Sequence, residues 1–305
     1  MTSPNLRNLA ASVHQRLLNK SREDARPFNE LFQYYAIERF LYRLSRSAHA
    51  DKVILKGALM LMVWDVRIRR STMDIDILGK MNNSNDSIIS MVREVCLQEV
   101  EPDGVIFDPD SISGQIITED ADYEGVRVNL RGSLDTARIT IQLDIGFGDI
   151  VIPSPELMTY PTILDLPAPH IRGYSKESTI AEKFEAMVRR GTMNSRMKDF
   201  WDIQLLSQQF DFDGKTLAAA IEKTFSTRHT AIPIHPIVFT DSFMKDEIKN
   251  TQWKAFLRKN LMVNGQNTFE AAVHSVSFFL KPVVESLANN HPGPMTWKAP
   301  GPWQR

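Results

Sequence analysis

The chain has 305 residues, of which 43% are hydrophobic and 24% charged, enough apolar material for one large domain or two ordinary ones and outside the ranges of disordered, collagen-like or coiled-coil chains. Thirty-six basic residues against 37 acidic ones leave a formal net charge of -1, so no global field draws the protein to nucleic acid or lipid, and an anionic partner must be met by a local basic patch. A single cysteine, Cys96, excludes internal disulfides and cysteine-built zinc sites. The N-terminal segment lacks the apolar core of a signal peptide, and no run approaches the roughly 18 apolar residues of a membrane span. The expectation is a cytoplasmic protein with no membrane partner.

Residues 5–20 and 28–45 read as two amphipathic helices broken at Arg26-Pro27; Leu31, Phe32, Tyr35, Ala36, Phe40, Leu41 and Leu44 recur at helical spacing in the second. Val53-Ile54-Leu55 predicts a short strand, which turns at Lys56-Gly57 into a buried helix over 58–64. Asp74-Ile75-Asp76-Ile77-Leu78 alternates with period two, the pattern of a half-buried strand, and 86–98 has the spacing of a helix. Strands are expected at 113–117, 125–130 and 139–145. In the last, Ile141, Leu143 and Ile145 face one side while Thr140, Gln142 and Asp144 face the other. Pro153, Pro155, Pro161, Pro167 and Pro169 then suggest a linker. Helices follow at 175–190, closed by Gly191, and at 195–209; the chain to about residue 290 is mostly helical, and a Pro/Gly-rich end reads as a loose tail. The expected organisation is N-terminal helices over 1–50, a sheet domain over 51–170, a helical domain over 171–290 and a tail over 291–305.

Asp74 and Asp76 point to one face of their strand, about 6–7 Å apart. Two carboxylates so placed repel unless a cation joins them, and an oxygen-rich site suits Mg²⁺ or Mn²⁺. Asp144 sits near the end of an alternating strand with its side chain opposite the apolar set; if that strand pairs beside 74–78, three carboxylates converge and could hold two metal ions that activate an attacking hydroxyl and steady a leaving phosphate. Asp149 is a weaker rival, more in keeping with a turn. At Lys56-Gly57-Ala58 a glycine after a strand lets a phosphate approach backbone N–H groups, with Lys56 as a point charge. This is not a Walker A loop, because its spacing is absent. Each signal is common alone, and a solvated sheet edge explains a bare Asp-x-Asp; what raises the metal-and-phosphate reading is their order along the chain.

Lys183 borders the apolar stripe of Ile180, Phe184, Met187 and Val188, where it either snorkels or reaches into a cleft. Asp199 and Asp202 share a helix face, and Lys198 with Asp202 has ordinary i, i+4 salt-bridge spacing. Arg67, Arg69 and Arg70 precede the Asp-x-Asp strand, while Arg189, Arg190, Arg196 and Lys198 flank the later lysine. These groups are either solvated clusters or the lining of an anionic channel. Ser71 and Thr72 add hydroxyls before Asp74. The seven histidines show no metal spacing, and neither Gly-x-Ser-x-Gly nor His-Glu-x-x-His occurs.

The segments LKGALML, RRSTMDIDILG, QLDIGFGD and YSKESTIAEKFEAMVRRG followed by SRMKDFWDI resemble, in order, the AbiEii/AbiGii toxin family of nucleotidyltransferases, which includes the MenT toxins. The resemblance runs through roughly residues 30 to 210. It implies an α+β fold of the DNA polymerase beta type, a mixed sheet with helices joined to a helical C-terminal domain. It also implies the toxin half of a toxin–antitoxin pair, with a cognate antitoxin protein as partner and an NTP as substrate. Transfer would need Mg²⁺ or Mn²⁺, and some members extend the 3′ end of tRNA and so block translation. Under the resemblance the first motif maps onto Gly57-Ala58 with Asp74 and Asp76, and Ala58 stands where the family usually has Gly or Ser. Asp74, Asp76 and Asp144 would form the metal set, and Lys183 with these three acids the catalytic set. Lys56, Gly57, Ala58, Thr72, Asp199 and Asp202 would contact the nucleotide. Two other readings remain at this point: a catalytically silent module that binds a nucleotide or an antitoxin, and a nucleotidyltransferase acting on a small molecule.

Overall fold

A computed structural model describes residues 4–66, 72–119, 123–260, 262, 268–289 and 295–304. The chain forms two units, one of Met1–Gly148 with Glu156–Gly173 and one of Asp149–Pro155 with Tyr174–Arg305. Arg67, Arg69, Arg70 and Ser71 lie outside the described residues.

In the first unit, helices α1 (Pro4–Glu23) and α2 (Phe28–Arg46) precede strand β1 (Val53–Lys56). A short helix α3 (Met60–Val63), strand β2 (Asp74–Gly79) and helix α4 (Asn85–Leu97) follow. Three long strands come next, β3 (Val105–Glu119), β4 (Tyr123–Leu134) and β5 (Ala137–Phe147), then β6 (Glu156–Thr159) and β7 (His170–Gly173). The seven strands lie in the order β3-β4-β5-β2-β1-β7-β6. β2 is parallel to β5 and β1 to β7, and the other neighbours are antiparallel, so the sheet is mixed.

The helices sit where the alternation puts apolar side chains. Phe40 of α2 packs edge-on against Phe107 of β3, and Ile89 of α4 lies over the bare Gly114. Gly104 lies close under α1 and β4: a Cβ there would come within 3.0 Å of Leu134, 3.2 Å of the Ala10 Cα and 3.5 Å of Val13. That face carries the buried Val126, Val128, Leu130, Ile141, Leu143 and Ile145. Alternation turns Arg127, Asn129, Arg131 and Ser133 of β4, and Arg138, Thr140, Gln142 and Asp144 of β5, to the opposite face.

The second unit is helical: α5 (Lys176–Arg190), α6 (Met197–Gln209), α7 (Gly214–Thr227), α8 (Asp241–Met244), α9 (Glu247–Lys259) and α10 (Phe269–Asn289). Ser175, Asp213 and Asp246 each accept an N–H from the first turn of the helix they open, satisfying donors that would otherwise lack partners. Gly191 closes α5 at φ +48, as expected of the C-terminal glycine, with its N–H on the carbonyls of Met187 and Val188. Interlocked rings of Phe200, Phe243, Trp253 and Phe269 fill the interior.

Three expectations are corrected. The proline-rich stretch is no simple linker: β6 and β7 lie within it and extend the sheet beyond β1, with β7 against β1, β6 at the edge, and the prolines outside their ladder. The buried helix at 58–64 shrinks to a 3₁₀ turn over Gly57–Leu59 and the four-residue α3. The C-terminal end is docked: β8 (Phe212–Asp213), β9 (Thr296–Trp297) and β10 (Trp303–Gln304) form a three-stranded sheet. Two tryptophans anchor it. The indole N–H of Trp297 donates to the Ser207 carbonyl, and that of Trp303 to the Phe279 carbonyl, each at 2.7 Å.

Candidate active site

The strand registers place Lys56 opposite Asp76, Asp76 opposite Asp144, and Asp144 opposite Arg127. One row across β1, β2, β5 and β4 therefore reads lysine, aspartate, aspartate, arginine. Asp74 stands two residues along β2, opposite Gln142, and so on the same face as Asp76. The three acids legible in the sequence thus meet on neighbouring strands, because a period-two pattern fixes the face and the ladder fixes the row.

The backbone joins this row at Gly57. Its φ is +70, and a Cβ placed there would overlap the Asp76 carboxylate, so the lysine–glycine turn lies directly against that acid. Lys56 leans along the face, its Nζ 4.0 Å from where a Gly146 Cβ would sit. Ala58 is buried in the turn. With only a 3₁₀ turn and a four-residue helix following, the electrostatics available to a phosphate come from local N–H groups and Lys56, not from a long helix dipole. The Thr72 backbone N–H donates to the Tyr34 hydroxyl at 3.1 Å, fixing the approach to β2.

Asp144 is held by a partner that reading the sequence missed. Arg127 donates from Nε to Oδ1 at 2.8 Å and from Nη2 to Oδ2 at 2.7 Å, a bidentate pair. Gln142 reaches the same oxygens at 3.3 and 3.4 Å. Arg127 falls on a predicted strand at the outward parity, but only the β4–β5 register identifies its partner. Among the described residues no three His, Cys, Asp or Glu side chains are gathered for a metal ion. Asp74 and Asp76 nevertheless fit a hard divalent cation: Mg²⁺ is usually held by one or two carboxylates and completed by substrate phosphates and water.

In the helical unit Lys183 is gripped by both acids of α6. Its Nζ lies 3.1 Å from Asp199 Oδ1 and 2.8 Å from Asp202 Oδ2, and Arg196 Nε lies 2.6 Å from Asp199 Oδ2. Asp199 is 0% exposed, Asp202 1% and Lys183 12%. Burial pushes the Asp199 carboxyl up, but the charges of Lys183 and Arg196 outweigh it and hold the group below its ordinary value. The two acids therefore fix the position of Lys183's ammonium. Asp149 is also more than a turn residue: Arg228 grips both its oxygens at 3.0 Å and meets Glu185 at 3.0 Å and Glu182 at 3.3 Å. Ile152 is tied in turn to the start of α5, its N–H donating to Ser178 Oγ and its carbonyl accepting from Ser175 Oγ. These bonds explain why 149–155 belongs with the helices.

A mixed sheet with two same-face aspartates beside a glycine turn, joined to a helical unit, has the features of an α+β nucleotidyltransferase. The chain belongs to the nucleotidyl transferase AbiEii toxin family of type IV toxin–antitoxin systems, whose model matches residues 39–275. Among solved structures, JHP933 from Helicobacter pylori aligns at 14% identity over 86% of this chain and 94% of that one, with a TM-score of 0.49. A "putative nucleotidyltransferase" from H. pylori aligns at 15% identity over 87% and 98%, also with a TM-score of 0.49. No curated protein matches the chain. Among the described residues no helix is long and apolar enough to cross a membrane.

Proposed function

We propose that the chain moves a nucleoside monophosphate from an NTP to the 3′ end of tRNA, blocking translation until a cognate antitoxin restrains it. The observation that carries the reading is the row of Lys56, Asp76 and Asp144 with the Gly57 turn lying against Asp76. Asp74 and Asp76 would hold Mg²⁺ or Mn²⁺, which when bound supplies positive charge to the triphosphate oxygens. Lys56 and the backbone N–H groups of the turn would orient those phosphates. The acceptor hydroxyl attacks the α-phosphorus, the bond to pyrophosphate breaks, and the hydroxyl proton passes to a carboxylate of the row. Asp144 serves this role once it turns from Arg127, whose guanidinium then stays at the rim for anionic oxygens. The implied role of Lys183 is a separate question, answered by Lys183→Met alone.

The test is transfer from each labelled NTP to total tRNA with Mg²⁺, comparing the wild-type chain with Asp74→Ala and Asp76→Asn. The expected result is label at the tRNA 3′ end that falls at least a hundredfold in both variants. Full transfer by either variant overturns the assignment, and wild-type label confined to a small molecule replaces the acceptor.

A further inference from the structure

The face that bears the acid row continues to the far end of β4 and β5, opposite the face on which Phe40 of α2 and Ile89 of α4 pack. Beyond Asp144 and Arg127, successive cross-strand pairs on it are Gln142 with Asn129, Thr140 with Arg131, and Arg138 with Ser133. From Asp144 to Arg138 is six residues of strand, or roughly 20 Å. At its end lies a groove of about 380 Å³ lined by Ile106, Asp108, Arg131, Ser133, Arg138 and Thr140. Both guanidinium groups are exposed. Among the described residues neither forms an ion pair, in contrast to Arg127, which is committed to Asp144.

We propose that this lane seats the sugar–phosphate backbone of a nucleic-acid strand whose end reaches the acid row; the inference rests on the nucleotidyltransferase reading for what happens at that end. Arg131 and Arg138 contact phosphates, and Asn129, Ser133, Thr140 and Gln142 offer neutral hydrogen-bonding groups between them. No aromatic ring stands among these residues, so the lane grips backbone and does not read bases by stacking. A chain with net charge -1 has no global attraction for RNA and needs such a local strip. Asp108 is the exception in the groove. It stands opposite Arg131 in the ladder, and its Oδ1 accepts the Asp110 N–H at 3.1 Å. Its charge opposes a phosphate at Arg131, which gives a second and opposite prediction.

The experiment is fluorescence anisotropy of labelled tRNA against the full chain over a range of KCl concentrations, with transfer to the same tRNA measured alongside. Arg131→Gln/Arg138→Gln should weaken binding about tenfold at low salt. It should also flatten the log–log salt slope by about 1.4, from two phosphate contacts at about 0.7 each. Asp108→Asn keeps the acceptor for Asp110 and should tighten binding a few-fold, a gain that misfolding cannot produce. Unchanged affinity and slope in both variants, or no tRNA binding by the wild type, overturns the lane. So does a double variant that binds tRNA normally but escapes its cognate antitoxin, which would assign the face to an acidic protein surface. Salt-dependent binding through Arg131 and Arg138 without transfer from any NTP would sustain the lane and refute the acceptor reading.

Discussion

Gly57 is held to glycine by two separate demands, a left-handed backbone and the carboxylate of Asp76 lying where a Cβ would be. Gly191 has the first without the second: φ is +48, but its Cβ would meet only Ile237 at an ordinary 3.6 Å. Gly57→Ala should therefore cost about 1–2 kcal/mol for the backbone, and by displacing Asp76 it should lower transfer more than tenfold per folded molecule. Gly191→Ala should lower Tm and leave transfer per folded molecule as it was. Thermal unfolding beside the transfer assay separates the two effects. At this scale the sequence was informative wherever one residue type in one local pattern suffices, as with Asp74, Asp76 and Gly57. It was silent on Arg127 and Arg228, whose meaning lies in partners 17 and 79 positions away.

Among the elements, α2 does more than cover the sheet. Its buried Glu38 accepts the Ile163 N–H at 2.7 Å, and the adjacent Arg39 donates to the Pro167 carbonyl at 2.9 Å, so one helix turn pins the proline-rich stretch that carries β6 and β7. Burial pushes the Glu38 carboxyl up to about 7, against the opposing pull of Arg39 and of the Ile163 N–H. The folded state then binds more protons than the unfolded chain between pH about 4.5 and about 7. Stability from this group is full below that window and is lost as pH rises through it, by at most about 3 kcal/mol. Glu38→Gln keeps an acceptor for Ile163 and should flatten this part of the stability profile, as read by urea unfolding at several pH values. An unchanged slope would show that Arg39 keeps the carboxylate charged throughout. The long alternating strands were legible because their patterning is strong, whereas β6 and β7, four residues each among prolines, give no periodic signal to outweigh the prolines. The C-terminal strands were hidden similarly, since the packing of Trp297 and Trp303 is a tertiary fact.

For the molecule as a whole, the chain passes between its two units at 148/149, 155/156 and 173/174. A truncation after Gly148 therefore removes β6 and β7 and opens the β1 edge, with its buried Val53, Ile54 and Leu55. It should be found mainly in aggregates, because unpaired apolar edges recruit other strands. A truncation after Gly173 keeps all seven strands and should elute with a larger monomeric fraction in size-exclusion chromatography. Equal behaviour of the two would mean that β7 does not protect β1. The same order of strands sets a timetable during synthesis. β1 is complete at residue 56, but β7 begins only at residue 170. At about 5–20 residues per second the ribosome needs roughly 6–23 s to deliver the missing neighbour. For that interval an apolar strand waits with one side open, which makes the nascent chain, more than the finished protein, the form that depends on chaperones.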